Sequence, residues 1–187
     1  MKKPMILLIG PSAVGKSSLL DKALVDFPRL RDTITYTTRG MRKGESQGHP
    51  YHFVSKEEFK RKISQDFFVE YAEVHGNLYG TPSDQIEETW RLDRVVIMDI
   101  DVQGARTFKA KYPQALAIFI LPPSIDALRH RIIKRENKVP DDIEVRMRNA
   151  EIEIGQVGDF DRQIVNDNFS HAYGQLKKLI EEFLEVK

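Results

Sequence analysis

The sequence predicts an α/β fold: a parallel sheet core flanked by helices, with an inserted, mostly β lobe and a short lid. Three observations predict it. Apolar runs alternate with amphipathic segments along most of the 187 residues. The first apolar run leads into a glycine-bounded loop of the form G-x-x-x-x-G-K-[ST]. Between residues 33 and 84 the alternation gives way to short strands and turns. At 41% hydrophobic and 30% charged residues, a chain of this length buries one good core, so a single compact domain with insertions is expected.

Met5–Ile9 is the first strand. After the loop, Leu19, Leu20, Ala23, Leu24 and Phe27 recur on one helical face until Pro28 stops the helix. The lobe opens with "TITYTTRGMRKGESQGHPYHFV"; Ser55 and Glu58 then form a capping box that starts a short helix, and "FFVEYAEVHGNLYGTP" closes it with more strand. Further strands are expected at 94–100, 115–121 and 163–165. Pro122, Pro123 and Ser124 end one of these and cap a helix with Leu128, Ile132 and Ile133 on one side. At 134–142, "KRENKVPDD", charge and Pro140 interrupt two helices, and the segment reads as a mobile flap. A last helix at 170–186 carries Leu176, Leu179, Ile180, Phe183 and Leu184. The expected division is a core of 1–32, 85–124 and 151–187, a lobe of 33–84 and a lid of 125–150.

Composition excludes several classes. Lys plus Arg number 29 against 28 Asp plus Glu, so a net charge of +1 gives no global pull toward nucleic acid or an anionic membrane, and any cationic site is local. No cysteine is present, which removes disulfides, thiolate metal sites and thiol nucleophiles, and fits a cytoplasmic setting. The longest apolar runs fall far short of the ~18 residues a membrane helix needs. His49 and His52 lack further ligands at metal spacing and read as turn residues.

The loop Gly10-Pro11-Ser12-Ala13-Val14-Gly15-Lys16-Ser17 carries the chemistry. Its spacing lets successive backbone N–H groups curl around a phosphate, with Lys16 reaching the outer phosphates and Ser17 a magnesium ion. A nucleoside triphosphate with magnesium follows. A switch GTPase is disfavoured: Asp101-Val102-Gln103-Gly104 comes late, and Asn137-Lys138-Val139-Pro140 lacks the final Asp and follows a helix. A phosphotransferase needs a second phosphate site built of arginines and tyrosines, and the lobe is supplied with both residue types. Asp99 and Asp101 end a strand, where parallel sheets bind ligands. Glu70, flanked by Val69 and Tyr71, taken alone reads as an outward-facing strand residue.

Taken together, the loop, the "TYTTRGMRKGE" turn, Tyr51-His52-Phe53, Glu70-Tyr71-Ala72-Glu73, Gly76-Asn77-Leu78-Tyr79-Gly80-Thr81 and Val165-Asn166-Asp167 resemble the guanylate kinases nearly end to end. That family passes the terminal phosphate of ATP to GMP. The resemblance implies a P-loop nucleoside monophosphate kinase fold with a GMP-binding lobe. ATP would be bound by Gly10, Pro11, Ser12, Ala13, Val14, Gly15, Lys16, Ser17 and Ser18, with Asn166 at the donor base. Thr35, Arg39, Arg42, Tyr51 and Tyr79 would hold GMP, and Glu70, Thr81 and Asp101 would read its guanine. Lys16, Arg39, Arg42 and the lid pair Arg135 and Arg146 would act on the transferring phosphoryl group, with Mg²⁺ at Ser17 and Asp99.

Departures from the family pattern are Thr35 for Ser, Met41 for Pro, and Glu136-Asn137-Lys138-Val139-Pro140 where relatives usually have Gly or Asn and then a Thr/Glu-rich run. Two other readings are weaker. A different acceptor, such as a ribose phosphate, sits poorly with Glu70, Thr81 and Asp101 together, and a scaffold-type phosphopeptide module sits poorly with an intact Lys16. Monomer and homodimer are both open.

Overall fold

The computed structural model describes residues 3–42, 44–74 and 76–186. β1 (Met5–Ile9) runs through the loop into α1 (Lys16–Asp26), and β2 (Leu30–Arg31) returns the chain to the sheet. Next come β3 (Tyr36–Thr37), β4 (His52–Phe53), α2 (Lys56–Ser64) and a hairpin of β5 (Phe68–Val74) and β6 (Asn77–Pro82). Then follow α3 (Ser83–Arg91), β7 (Val95–Ile100), α4 (Val102–Lys111), β8 (Leu116–Leu121), α5 (Ile125–Glu136), α6 (Ile143–Ile154), β9 (Arg162–Val165) and α7 (Phe169–Val186).

The larger sheet has the order β2-β7-β1-β8-β9 and is parallel at every pairing. β1 lies at its centre, so all five of its residues are buried. That placement is why it reads as an unbroken apolar run, and each such side chain contributes roughly 1.5–3 kcal/mol. Ile6 and Leu8 pack with Leu19, Leu20, Leu128, Ile132, Leu176 and Ile180, whereas Met5, Leu7 and Ile9 pack with Ile86, Trp90 and Phe108. The period-two split places α1, α5 and α7 on one face and α3 and α4 on the other. Ile9 is level with Ile100 and with Phe119, so the loop after β1 opens beside the carboxyl end of β7.

The strands expected at 94–100, 115–121 and 163–165 are present as β7, β8 and β9. β2 adds to them. Two residues carry no readable period, and the strand exists because buried Leu30 and its neighbour Arg31 pair with Val95 and Val96.

The second sheet has the order β4-β3-β6-β5. Fully buried Phe59 of α2 stacks on Phe68 at 4.6 Å, and a Cβ at Gly80 would lie 2.8 Å from the Phe59 ring, so only glycine fits there. Ser55 Oγ accepts from the Glu58 N–H at 3.1 Å, and Ser124 Oγ from the Ala127 N–H at 3.0 Å, as the capping patterns predict. In the segment read as a flap, α5 ends at Glu136 and Asn137 turns the chain with φ 54°. Ile143, Met147 and Ala150 of α6 join the main core alongside Leu128 and Ile132. Both helices are therefore seated on the sheet, and exposure concentrates at Asn137, Lys138 and Val139.

Candidate active site

The loop is shaped by what its backbone meets. Gly10 has φ 139°, and a Cβ there would lie 2.3 Å from the Ile120 carbonyl oxygen. Gly15, φ 104°, starts α1 without a side-chain cap, so the first N–H groups of that helix stay available to an anion. Lys16 Nζ donates to the carbonyls of Gly10 at 2.5 Å and Pro11 at 3.2 Å, folding the ammonium over the loop. Burial holds its pKa below the usual lysine value, with Asp99, Glu153 and Asp101 opposing the shift. Ser17 Oγ donates to Asp99 Oδ2 at 2.8 Å.

Behind the loop, Val14 is fully buried and its carbonyl is held twice: Asn166 Nδ2 donates at 2.8 Å and Arg131 Nη1 at 3.2 Å. Arg131 Nη2 also donates to the Asn166 carbonyl at 2.7 Å.

The opposite wall comes from the smaller sheet. Arg39 donates both terminal nitrogens to Glu45, at 3.0 and 2.8 Å, and lies 5.5 Å from the ring centres of both Tyr51 and Phe53. The Arg42 N–H donates to the same carboxylate at 2.7 Å. Tyr51 meets Tyr79 edge to face at 5.8 Å, and its phenol is pushed well above the usual tyrosine range, first by burial and then by Asp99. On the hairpin, Thr81 Oγ1 donates to Glu70 Oε1 at 2.7 Å. Burial pushes the Glu70 carboxyl up to about 7; the Thr81 hydrogen bond opposes the rise and the Asp101 charge adds to it.

A register shift between Phe68 and Glu70 turns Glu70 inward with buried Ala72 and leaves Tyr71 outside, 52% exposed. The alternation read from the sequence is real, but the bulge sets its phase, and Glu70 is not outward-facing. Asp101 Oδ1 caps α4 by accepting from the Gly104 N–H at 2.7 Å, which gives the Asp-x-x-Gly run its structural reason.

α5 and α6 close the third side. Arg135 Nη2 donates to Ser12 Oγ at 3.3 Å, and Arg146 Nε donates to Asp142 at 2.9 Å. All the residues expected at the site except Pro11, Val14 and Asn166 border one cavity of about 750 Å³. Those three do not. Asn166 is only 6% exposed, and its Nδ2 bond to the Val14 carbonyl braces the loop from behind.

Residues 1–183 match the family model for guanylate kinase. The chain belongs to the guanylate kinase family. It is 50% identical over 184 residues to the guanylate kinase of Bdellovibrio bacteriovorus, covering 98% of this chain and 100% of that protein. It is 42% identical to that of Symbiobacterium thermophilum, covering 94% and 83%. The crystal structure of guanylate kinase from Anaplasma phagocytophilum superposes with a TM-score of 0.79 at 30% identity, over 97% of this chain and 87% of that one.

Within this guanylate kinase fold, several residues that border the cavity lie outside the expected set, Arg131 and Glu153 among them. Arg131 stands among the ordinary charges of α5, yet it borders the cavity and ties the loop to β9's end. Glu153 lies seven positions after Arg146 on α6, hence on the same helical face; burial raises its carboxyl, the Lys16 charge opposes that rise and Asp101 adds to it. That spacing was the available signal. Among the described residues no three or more His, Cys, Asp or Glu side chains are grouped so as to hold a metal ion by themselves. Ser17 and Asp99 offer two hard oxygens beside the loop, which suits a magnesium ion that keeps waters and phosphates as its other ligands.

Proposed function

We propose that this chain transfers the terminal phosphate of ATP to GMP, giving ADP and GDP, with the cavity residues in the following roles. The phosphate loop and Lys16 hold the donor phosphates, Arg39, Arg42, Tyr51 and Tyr79 hold the phosphate of GMP, and Arg135 and Arg146 neutralise charge on the group in flight. Ser17 and Asp99 would hold Mg²⁺, which would supply positive charge to offset that of the donor phosphates. Phosphoryl transfer asks little covalent help of a protein, so rate comes from alignment and from positive charge fixed in advance. The lobe at 33–84 and, within the lid at 125–150, the exposed turn at Asn137, Lys138 and Val139 are the parts that close over the core and exclude water. A cytoplasmic location accords with the lack of cysteine, and no helix among the described residues is long and apolar enough to cross a membrane.

One observation carries this reading: a phosphate loop and an arginine–tyrosine cluster border the same cavity, with Glu70, Thr81 and Asp101 along one wall. Guanine presents N1–H and an N2 amine as donors and O6 as acceptor. Glu70 and Asp101 accept from the donors and Thr81, on giving up its bond to Glu70, donates to O6, whereas adenine would set a lone pair against a carboxylate. Unpaired buried polar groups cost about 1–3 kcal/mol each, and sites built on them reject analogues by up to ~10⁴. The test is a coupled ADP assay with ATP, Mg²⁺ and a panel of nucleoside monophosphates, on wild type and Glu70→Gln. Strong preference for GMP is expected, with IMP the best of the rest, and the variant should lose kcat/KM for GMP by about 10- to 100-fold. Equal rates with AMP and GMP, or an unchanged variant, would refute it.

A further inference from the structure

Three guanidinium groups converge beside the phosphate loop from three separate segments: Arg42 after β3, Arg135 from the last turn of α5 and Arg146 from the first turn of α6. Like charges at such spacing repel. Arg135 is held below its usual basicity first by burial and then by Arg42, with Arg146 adding to it. One carboxylate oxygen offsets that repulsion. Glu136 Oε1 accepts from Arg146 Nη1 at 2.6 Å and stands 3.7 Å from Arg135 Nη2 and 4.0 Å from Arg42 Nη2. Its side chain is 20% exposed.

Nothing local asks for a carboxylate there. Glu136 is the last residue of α5, where the unpaired helix carbonyls favour cations, as at Lys134 and Arg135. Nor does Arg146 depend on it for a partner, since Asp142 already takes Nε. A residue that breaks a local rule and is compensated only by groups of the site points to a role in the site. Arg135 also donates to Ser12 of the phosphate loop at 3.3 Å, so the carboxylate stands behind arginines that border the cavity, one of which touches the loop.

We propose that Glu136 is a stand-in anion, occupying among Arg42, Arg135 and Arg146 the place that a phosphoryl oxygen takes once nucleotides bind. The inference rests on the cavity being the phosphoryl-transfer site. Glu136 is a positioning residue: before nucleotides arrive it keeps the cations of lobe and lid gathered, and the incoming phosphate displaces it. A single carboxylate charge yields to a polyphosphate and holds against weak monovalent anions, so the cluster selects by charge density.

The test uses inorganic triphosphate as probe, with calorimetric binding to wild type, Glu136→Gln, Glu136→Ala and Glu136→Asp, each first checked for folding by thermal melting. The chain has no cysteine, so Gly40→Cys with Val139→Cys adds a clean label pair across lobe and lid. Removing the charge in the Gln or Ala variant should tighten triphosphate binding about tenfold and widen the label distance before ligand is added, while the Asp variant stays near wild type. Affinity that is unchanged or weaker without the charge, an unchanged distance, or an Asp variant that behaves like the Gln variant would overturn the proposal. If wild type fails to bind triphosphate, or binds it equally well with Lys16→Ala, the cavity reading itself fails and the proposal falls with it.

Discussion

The two halves of the cavity are made differently. The donor half is a contiguous loop whose shape is set by backbone: positive φ at Gly10 and Gly15, a buried Val14, and a central strand with no exposed residue. The acceptor half is gathered from separate segments by side-chain charge, through Arg39 with Glu45, Glu70 with Thr81, and the three arginines around Glu136. A backbone-built site is rigid before its ligand arrives, whereas a site built from ion pairs offers its ligand bonds already made to the protein. The donor half should therefore fail through geometry and the acceptor half through charge.

The sharpest way to probe this difference is Lys16→Ala, because Lys16 is the one charged side chain the donor half contributes. Activity should fall about a thousandfold or more, with the melting temperature little changed. Near-normal turnover would remove Lys16 from the reaction. Gly10→Ala should instead break the donor half as structure. Its new Cβ meets the Ile120 carbonyl in a backbone conformation L residues avoid, so about 2–5 kcal/mol of stability should be lost in denaturant unfolding. A loss below 1 kcal/mol would mean the loop is not held by backbone fit.

The smallest effect is on the acceptor side and depends on pH. Because the Glu70 carboxyl rises from 4.5 to about 7 in the folded protein, the native state binds more protons than the unfolded state between those values. Stability should decline as pH climbs through that window, by an amount on the order of 3 kcal/mol at most, and Glu70→Gln should flatten the slope. If Glu70 reads guanine as proposed, GMP favours its ionised form, and binding near pH 6.5 should release protons, seen as a dependence of calorimetric enthalpy on buffer ionisation. Identical enthalpies in all buffers would contradict it.

The same division decides what the sequence discloses. The loop, β1, β7, β8 and β9 are readable because each is local: a fixed spacing of glycines, or an apolar run long enough to show its period. β2 and the two-residue strands β3 and β4 are defined by partners and not by pattern. Glu70 illustrates the limit, since its neighbours predict the wrong face and only the bulge, a property of the pairing with β6, corrects it. Arg131 and Glu153 each sit alone among ordinary helical charges, and their roles appear only when α5 and α6 are docked. Asn166 adds a contact that no motif discloses: its Nδ2 donates to the Val14 carbonyl.

That contact bears on how the molecule is made. The hydrogen bond from Asn166 to Val14 spans 152 residues of sequence, and β1 must wait for both β7 and β8 before its edges are filled. On a ribosome adding about 5–20 residues per second, the loop emerges roughly 8–30 s before the residue that steadies it. For that interval the nascent chain carries the complete phosphate-binding motif without its anchor. Competence to hold a nucleotide thus waits for β9 to dock, and a chain stalled before then leaves the outer edge of apolar β8 without its neighbour.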